Sequence, residues 1–183
     1  RGSSAQRAVR VGGQECGYCP GGYVSQSVGS CGAADGSQKG AEELCMGIDV
    51  CGVTAGDGQA VAEDSAVGRG ATGGKVLKVI IECCLLTEAE KLEMCRIVSE
   101  SGADFIKTST GFSTGGATRE DVALLRKNCA PQVKVKAAGG IKTLQDAEAF
   151  INLGAERLGT SRIVKLAIAL EQQKADDTPD GAS

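Results

Sequence analysis

A chain of 183 residues with a formal net charge of −3 has room for one sizeable domain and no electrostatic bias toward nucleic acid or a membrane surface. Nine cysteines and no histidine exclude histidine-based triads and histidine-containing metal sites. The odd cysteine count and irregular spacing point to free thiols in the cytoplasm rather than to a secreted disulfide framework. No apolar run approaches the roughly 20 residues that span a bilayer, and no signal-peptide pattern precedes the first element.

The first 39 residues are glycine-dense and poorly defined, with "AVRVGG" (8–13) as a candidate strand. "GAEELCMGIDV" (40–50) predicts a strand after a helix end. "GDGQAVAEDSAVGRGATGG" (56–74) predicts a weakened helix. Each interior glycine in a helix costs about 1 kcal/mol relative to alanine.

From residue 75 onward the local signals agree. "KVLKVIIE" (75–82) is a strand with a valine and isoleucine core. "TEAEKLEMCRIVSESG" (87–102) is a helix capped by Thr87, with Glu90 completing a capping box and Gly102 ending it. "ADFIKTST" (103–110) is the next strand. "TREDVALLRKN" (118–128) is a helix with Thr118 and Asp121 in capping positions. "QVKVKAAGG" (132–140) is a strand running into glycines, and "TLQDAEAFINLG" (143–154) is a helix capped by Thr143. "AERLGTS" (155–161) is a short strand, "SRIVKLAIALEQQK" a final helix, and residues 171–183 a polar, disordered tail after a single domain over 1–170. Strands alternating with helices imply a parallel α/β sheet, either a barrel or an open doubly wound sheet.

Lys107 ends a strand that begins as a buried apolar run. A lone lysine there ordinarily snorkels to solvent. Lys136, however, ends the next parallel strand, with Lys134 and Ala138 on its face. Facing ammonium groups repel, and repulsion and desolvation both favour the neutral amine. A neutral lysine amine attacks carbonyls to form a Schiff base. The C-terminal strand ends are where α/β barrels carry their catalytic residues.

"AAGGIKT" (137–143) and "GTSR" (159–162) follow the last two strands. Both present unobstructed backbone N–H groups, and the second enters a helix N-terminus, a natural phosphate site. Beside paired lysines, they suggest a phosphorylated carbonyl substrate. The cysteines admit another reading. "CGYC" (16–19) could be a redox pair or half a zinc site. A zinc site needs two more ligands, and there is no second CxxC, while Cys83 and Cys84 would point to opposite faces of an extended strand. Buried or incidental thiols are the simpler account.

"KVLKVIIE", "LLTEAEK", "GADFIKTSTGFSTGGAT", "VKAAGGIKT" and "LGTS" closely resemble the deoxyribose-phosphate aldolases, in family order from about Gly73 to Leu170. The resemblance implies a (β/α)8 TIM barrel. It implies a class I aldolase that cleaves 2-deoxy-D-ribose 5-phosphate to glyceraldehyde 3-phosphate and acetaldehyde without metal or organic cofactor. It makes Lys107 the Schiff-base lysine and Lys136 the second active-site lysine, which perturbs the first and takes part in proton transfer. Thr108 would line the substrate, and Gly139, Gly140, Gly159, Thr160 and Ser161 would bind phosphate. The implied partners are a small sugar phosphate and further copies of the chain, with neither nucleic acid nor membrane. The rivals are a Schiff-base aldolase for another sugar phosphate, and a non-catalytic remnant that only binds phosphate.

The resemblance breaks in the first half. The family's aspartate that helps relay protons falls at Cys45, a thiol that ordinarily titrates near about 8.5 against about 3.9 for aspartate. Asp49 shares the face but lies about 13 Å further along the strand. Gly47, Gly58, Gly68 and Gly70 stand where larger residues are usual, and Arg162 stands at a serine position. "CGYCPGG" (16–22) only faintly resembles the family's third strand, and the first two strands have no counterpart. About six βα units are therefore expected, in a fragment, a decayed copy or an error-laden translation with reduced stability.

Overall fold

The structure, a computed structural model, describes residues 9–11, 14–16, 43–48, 53–160 and 162–163. Its strands are β1 (Val9–Val11), β2 (Gln14–Cys16), β3 (Glu43–Gly47), β4 (Val76–Ile80), β5 (Phe105–Lys107), β6 (Lys134–Ala138) and β7 (Ala155–Gly159). Helices α1 (Gly58–Ala71), α2 (Glu88–Glu100), α3 (Arg119–Asn128) and α4 (Leu144–Asn152) alternate with them from β3 onward. The strands form one sheet in the order β1-β2-β7-β6-β5-β4-β3. From β3 to β7 every pairing is parallel, and each strand lies beside its sequence neighbour. An open doubly wound sheet would reverse its strand order at a switch point. The unbroken order is that of the TIM-barrel class instead, and the five parallel strands among the described residues make it an incomplete barrel, as expected.

The helices share one side of this sheet. Leu77, Val79, Ile81, Ile106, Val135 and Leu158 join Met94, Ile97, Val122, Leu125 and Phe150 in the buried apolar core. The alternate positions point the other way, into the barrel interior. There Glu43 of β3 meets Arg157 of β7, so the sheet curls until strands four places apart touch. A bulge makes this possible. Val135 pairs with Ala155 but Lys136 pairs with Arg157, leaving Glu156 as the extra residue. The bulge resets the alternation. Ala155 and Leu158 thus both enter the helix-side core while Arg157 turns inward.

Helix starts follow the sequence closely. Thr87 and Thr143 form capping boxes with Glu90 and Asp146, and the Thr118 hydroxyl accepts from the Asp121 N–H. The expected weak helix is α1, where Gly68 has a packing reason. A Cβ there would lie 2.5 Å from the Met46 Sδ, so the missing side chain admits β3.

Several boundaries change. The strand expected over 103–110 keeps ladder pairing only at β5, because the chain then turns into a loop. The strand expected at 8–13 is half of the antiparallel hairpin β1–β2. Of "CGYCPGG" only Cys16 is described. It pairs with Leu158, so β2 lies beside β7, whereas a third barrel strand would lie beside β3. Cys19, Asp49, Ser161, most of the final helix and the tail lie outside the described residues. Among the described residues, no helix is long and apolar enough to cross a membrane.

Candidate active site

Lys107 and Lys136 are register partners at the C-terminal ends of β5 and β6. Their residues are 8% and 2% exposed, so neither lysine snorkels freely into solvent. The same register line continues to Arg157 on β7. One layer deeper runs the line Cys45, Lys78, Phe105 and Lys134. Lys78 is fully buried, and the Arg157 guanidinium stacks 4.5 Å from the Phe105 ring centroid. Exposed Lys134 lies over the same ring at 5.7 Å.

Four cations thus face one interior. Glu43 supplies a counter-charge, taking a hydrogen bond from Lys78 and another from Arg157. Burial works to raise its carboxyl pKa, but the hydrogen bonds and charges of Lys78 and Arg157 prevail and hold it below the usual carboxylate range. Such a cationic interior favours an anionic substrate. Sequence reading missed Glu43, Lys78 and Arg157 as members of this network. A lysine in the middle of an apolar strand was the available signal for Lys78.

Thr108 knits the two lysine strands together. Its N–H donates to the Lys136 carbonyl at 3.1 Å, and its hydroxyl bonds both the N–H and the carbonyl of Ala138. Its hydroxyl is therefore engaged in fixing the strand ends. Cys45 stands beside Lys78 in register, half-buried and outside any disulfide.

Above the lysines, the loops after β6 and β7 come together. Gly139 and Gly140 have φ of 77° and 76°, which only glycine adopts readily. The Gly139 N–H donates to the Gly159 carbonyl, and the Thr160 hydroxyl to the Ile141 carbonyl at 3.1 Å. A Cβ on Gly159 would meet the Ala138 Cβ at 2.9 Å and the Lys136 Cε at 3.5 Å, so this glycine makes room for the lysine. Gly139, Gly140, Gly159 and Thr160 are thus gathered beside Lys136, while Ser161 lies outside the described residues. Among the described residues, no three carboxylate or thiol side chains converge as a metal site.

No protein-family model matches the chain. The deoxyribose-phosphate aldolase of Streptococcus pyogenes serotype M4 (strain MGAS10750) is 48% identical over 157 residues, covering 86% of this chain and 70% of that protein. That of Clostridioides difficile (strain 630) is 46% identical over 161 residues, 88% of this chain and 71% of its own. Among solved structures, an aldolase called QR15 superposes with a TM-score of 0.78 at 35% identity, over 86% of this chain and 72% of that one. The deoxyribose-phosphate aldolase of Aeropyrum pernix, described as a unique tetramer, gives 0.69 at 28% identity over 84% and 65%. With sequence and fold in agreement over most of its length, the chain belongs to the deoxyribose-phosphate aldolase family.

Proposed function

We propose that the chain is a class I aldolase converting 2-deoxy-D-ribose 5-phosphate reversibly to D-glyceraldehyde 3-phosphate and acetaldehyde. The observation that carries this is the buried register pair Lys107–Lys136 at the mouth of a parallel barrel. The neutral Lys107 amine adds to C1 of the open-chain sugar and expels water, leaving a protonated Schiff base. Loss of the 3-hydroxyl proton then breaks the C2–C3 bond. C3 leaves as the aldehyde carbon of glyceraldehyde 3-phosphate, and its bonding electrons remain as an enamine on Lys107. Protonation at C2 and hydrolysis release acetaldehyde and restore the amine. Lys136 is the adjacent proton carrier. The protonated imine is the electron sink, so the scheme calls for no metal or organic cofactor.

The glycine turn at Gly139–Gly140, with Gly159, Thr160 and Ser161, is our assignment for the 5-phosphate. Arg157 and Lys78 add long-range attraction. Residues 1–170 are read as one domain acting in cytoplasmic nucleoside catabolism, as Cys83, Cys84, Cys95 and Cys129, none of them in a disulfide, suit a reducing compartment. The tetramer named for the Aeropyrum pernix relative supports a homo-oligomer, which light scattering would measure.

Incubation with acetaldehyde and borohydride, followed by intact mass and peptide mapping, tests the reading. A reduced two-carbon adduct on Lys107 is expected, suppressed by deoxyribose 5-phosphate and absent in Lys107→Met. Equal labelling of many lysines would overturn it.

A further inference from the structure

Glu82 is the only described residue other than glycine with a positive φ. Its φ of 52° and ψ of 63° are left-handed, immediately after β4 and the buried Ile81. Long side chains rarely occupy this region, and where they do the surroundings must enforce it. The residue is also buried, at 7% exposure, although it carries a carboxyl group.

The carboxylate has a definite task. Glu82 Oε2 accepts the Thr110 N–H at 3.1 Å, three residues past Lys107. Its other oxygen lies 3.8 Å from the Cys84 thiol, which the Ser113 and Thr114 hydroxyls approach at 3.5 and 3.7 Å. Loop 108–117 is thereby held to the end of β4. Its far end presses on the glycine turn after β6. A Cβ on Gly116 would lie 2.4 Å from the Gly139 carbonyl carbon and 2.6 Å from the Gly140 nitrogen. The Ala117 N–H reaches both the Ala138 and Gly139 carbonyls, at 3.0 and 3.1 Å. Immediately before the first anchor, the Ser109 hydroxyl is buried without a hydrogen-bond partner. Strain and an unsatisfied polar group therefore meet in one stretch that joins the lysine strand to the glycine turn.

We propose that Glu82 is a positioning residue: its strained backbone aims a carboxylate at Thr110, and the loop so fixed sets the Gly139–Gly140 turn for a phosphorylated acceptor. This rests on the aldolase reading above. The consequence is selective. Loosening the loop disturbs the phosphate end of the site and leaves amine chemistry at Lys107 intact.

Three variants separate this from a purely structural role. Glu82→Ala and Glu82→Gly both remove the acceptor, but glycine alone also relieves the backbone. Glycine should melt about 2 to 4 °C above alanine. Glu82→Gln keeps an acceptor and the strain. In the addition direction, Ala and Gly should raise KM for glyceraldehyde 3-phosphate about tenfold or more. KM for unphosphorylated glyceraldehyde should stay within about twofold, and Gln should stay near wild type. Amide exchange across 108–117 should quicken in Ala and Gly only. Activity that tracks melting temperature, or equal KM changes for both acceptors, would overturn the proposal. Borohydride trapping of acetaldehyde on wild-type Lys107 keeps the two readings apart. A trapped wild type with indifferent Glu82 variants sinks only the positioning role, whereas an untrapped wild type sinks the aldolase reading and this one with it.

Discussion

Glu43 and Arg157 lie 114 positions apart in the chain and hydrogen-bond across the barrel interior. The same carboxylate holds Lys78, whose side chain is wholly buried. Removing one partner of a buried ion pair leaves the other charge uncompensated, at about 3 kcal/mol. Glu43→Ala should lower the urea unfolding free energy by about that much. Adding Lys78→Met should restore part of it, because one of the two cations that Glu43 holds is then gone. Equal losses in the single and double variants would show that Glu43 acts without Lys78.

The same residue predicts an acid dependence. Burial opposes its ionisation, but Lys78 and Arg157 hold its folded pKa below the ordinary range. A carboxyl so depressed stabilises the fold above its unfolded pKa of about 4.3. That stabilisation fades as pH falls through the lower folded value. The urea midpoint of the wild type should therefore fall more steeply below about pH 4 than that of Glu43→Gln.

Cys45, the position at which the resemblance implies a proton-relaying aspartate, is next to Lys78 in register. Cys45→Asp should restore an ionised oxygen at that level of the barrel. An increase in kcat of about tenfold or more, with KM little changed, is expected in steady-state cleavage assays. An unchanged or reduced kcat would mean that the relay runs through other groups.

Cys83 and Cys84 are adjacent but chemically unlike. Burial, helped by the Asp121 charge, pushes the Cys83 thiol up to about 12, while Cys84 is exposed. Iodoacetamide at pH 8 should alkylate Cys84 and leave Cys83 intact, as fragment-ion mapping would show. Labelling of both at similar rates would refute the packing around the turn after β4.

Two glycines should respond in opposite directions. Gly70 lies on the exposed side of α1, where an added Cβ meets nothing within 4 Å. Gly70→Ala should stabilise by about 0.5 to 1 kcal/mol and raise the melting temperature. At Gly116 the added carbon would run into backbone, which cannot rotate aside. Gly116→Ala should destabilise by about 1 to 3 kcal/mol and raise KM for the sugar phosphate.

The second half of the fold was legible because local signals there coincide with tertiary demands. Thr87, Thr118 and Thr143 cap the helices that their spacing announces, and alternation in "KVKAA" places Lys136 inside. The Lys107–Lys136 pair could be read from two strand ends. The charge network could not. Nothing local says that Glu43 will face Arg157, since that depends on curling the sheet and on the bulge at Glu156. Nor does a sequence display φ, so the left-handed turn at Glu82 leaves no trace in "KVIIE". The glycine-dense start was hard to read for the opposite reason. Gly68 registers as a flaw in a helix until Met46 is seen to occupy its space.

Gly116 and Gly139 meet backbone to backbone, with no side-chain atoms between them. Two sites separated in the chain are therefore locked to a common fate during divergence. A side chain gained at either cannot be absorbed by trimming a neighbour, because the neighbour is already as small as an amino acid can be. In a family record, these positions should tolerate change only together with remodelling of both loops.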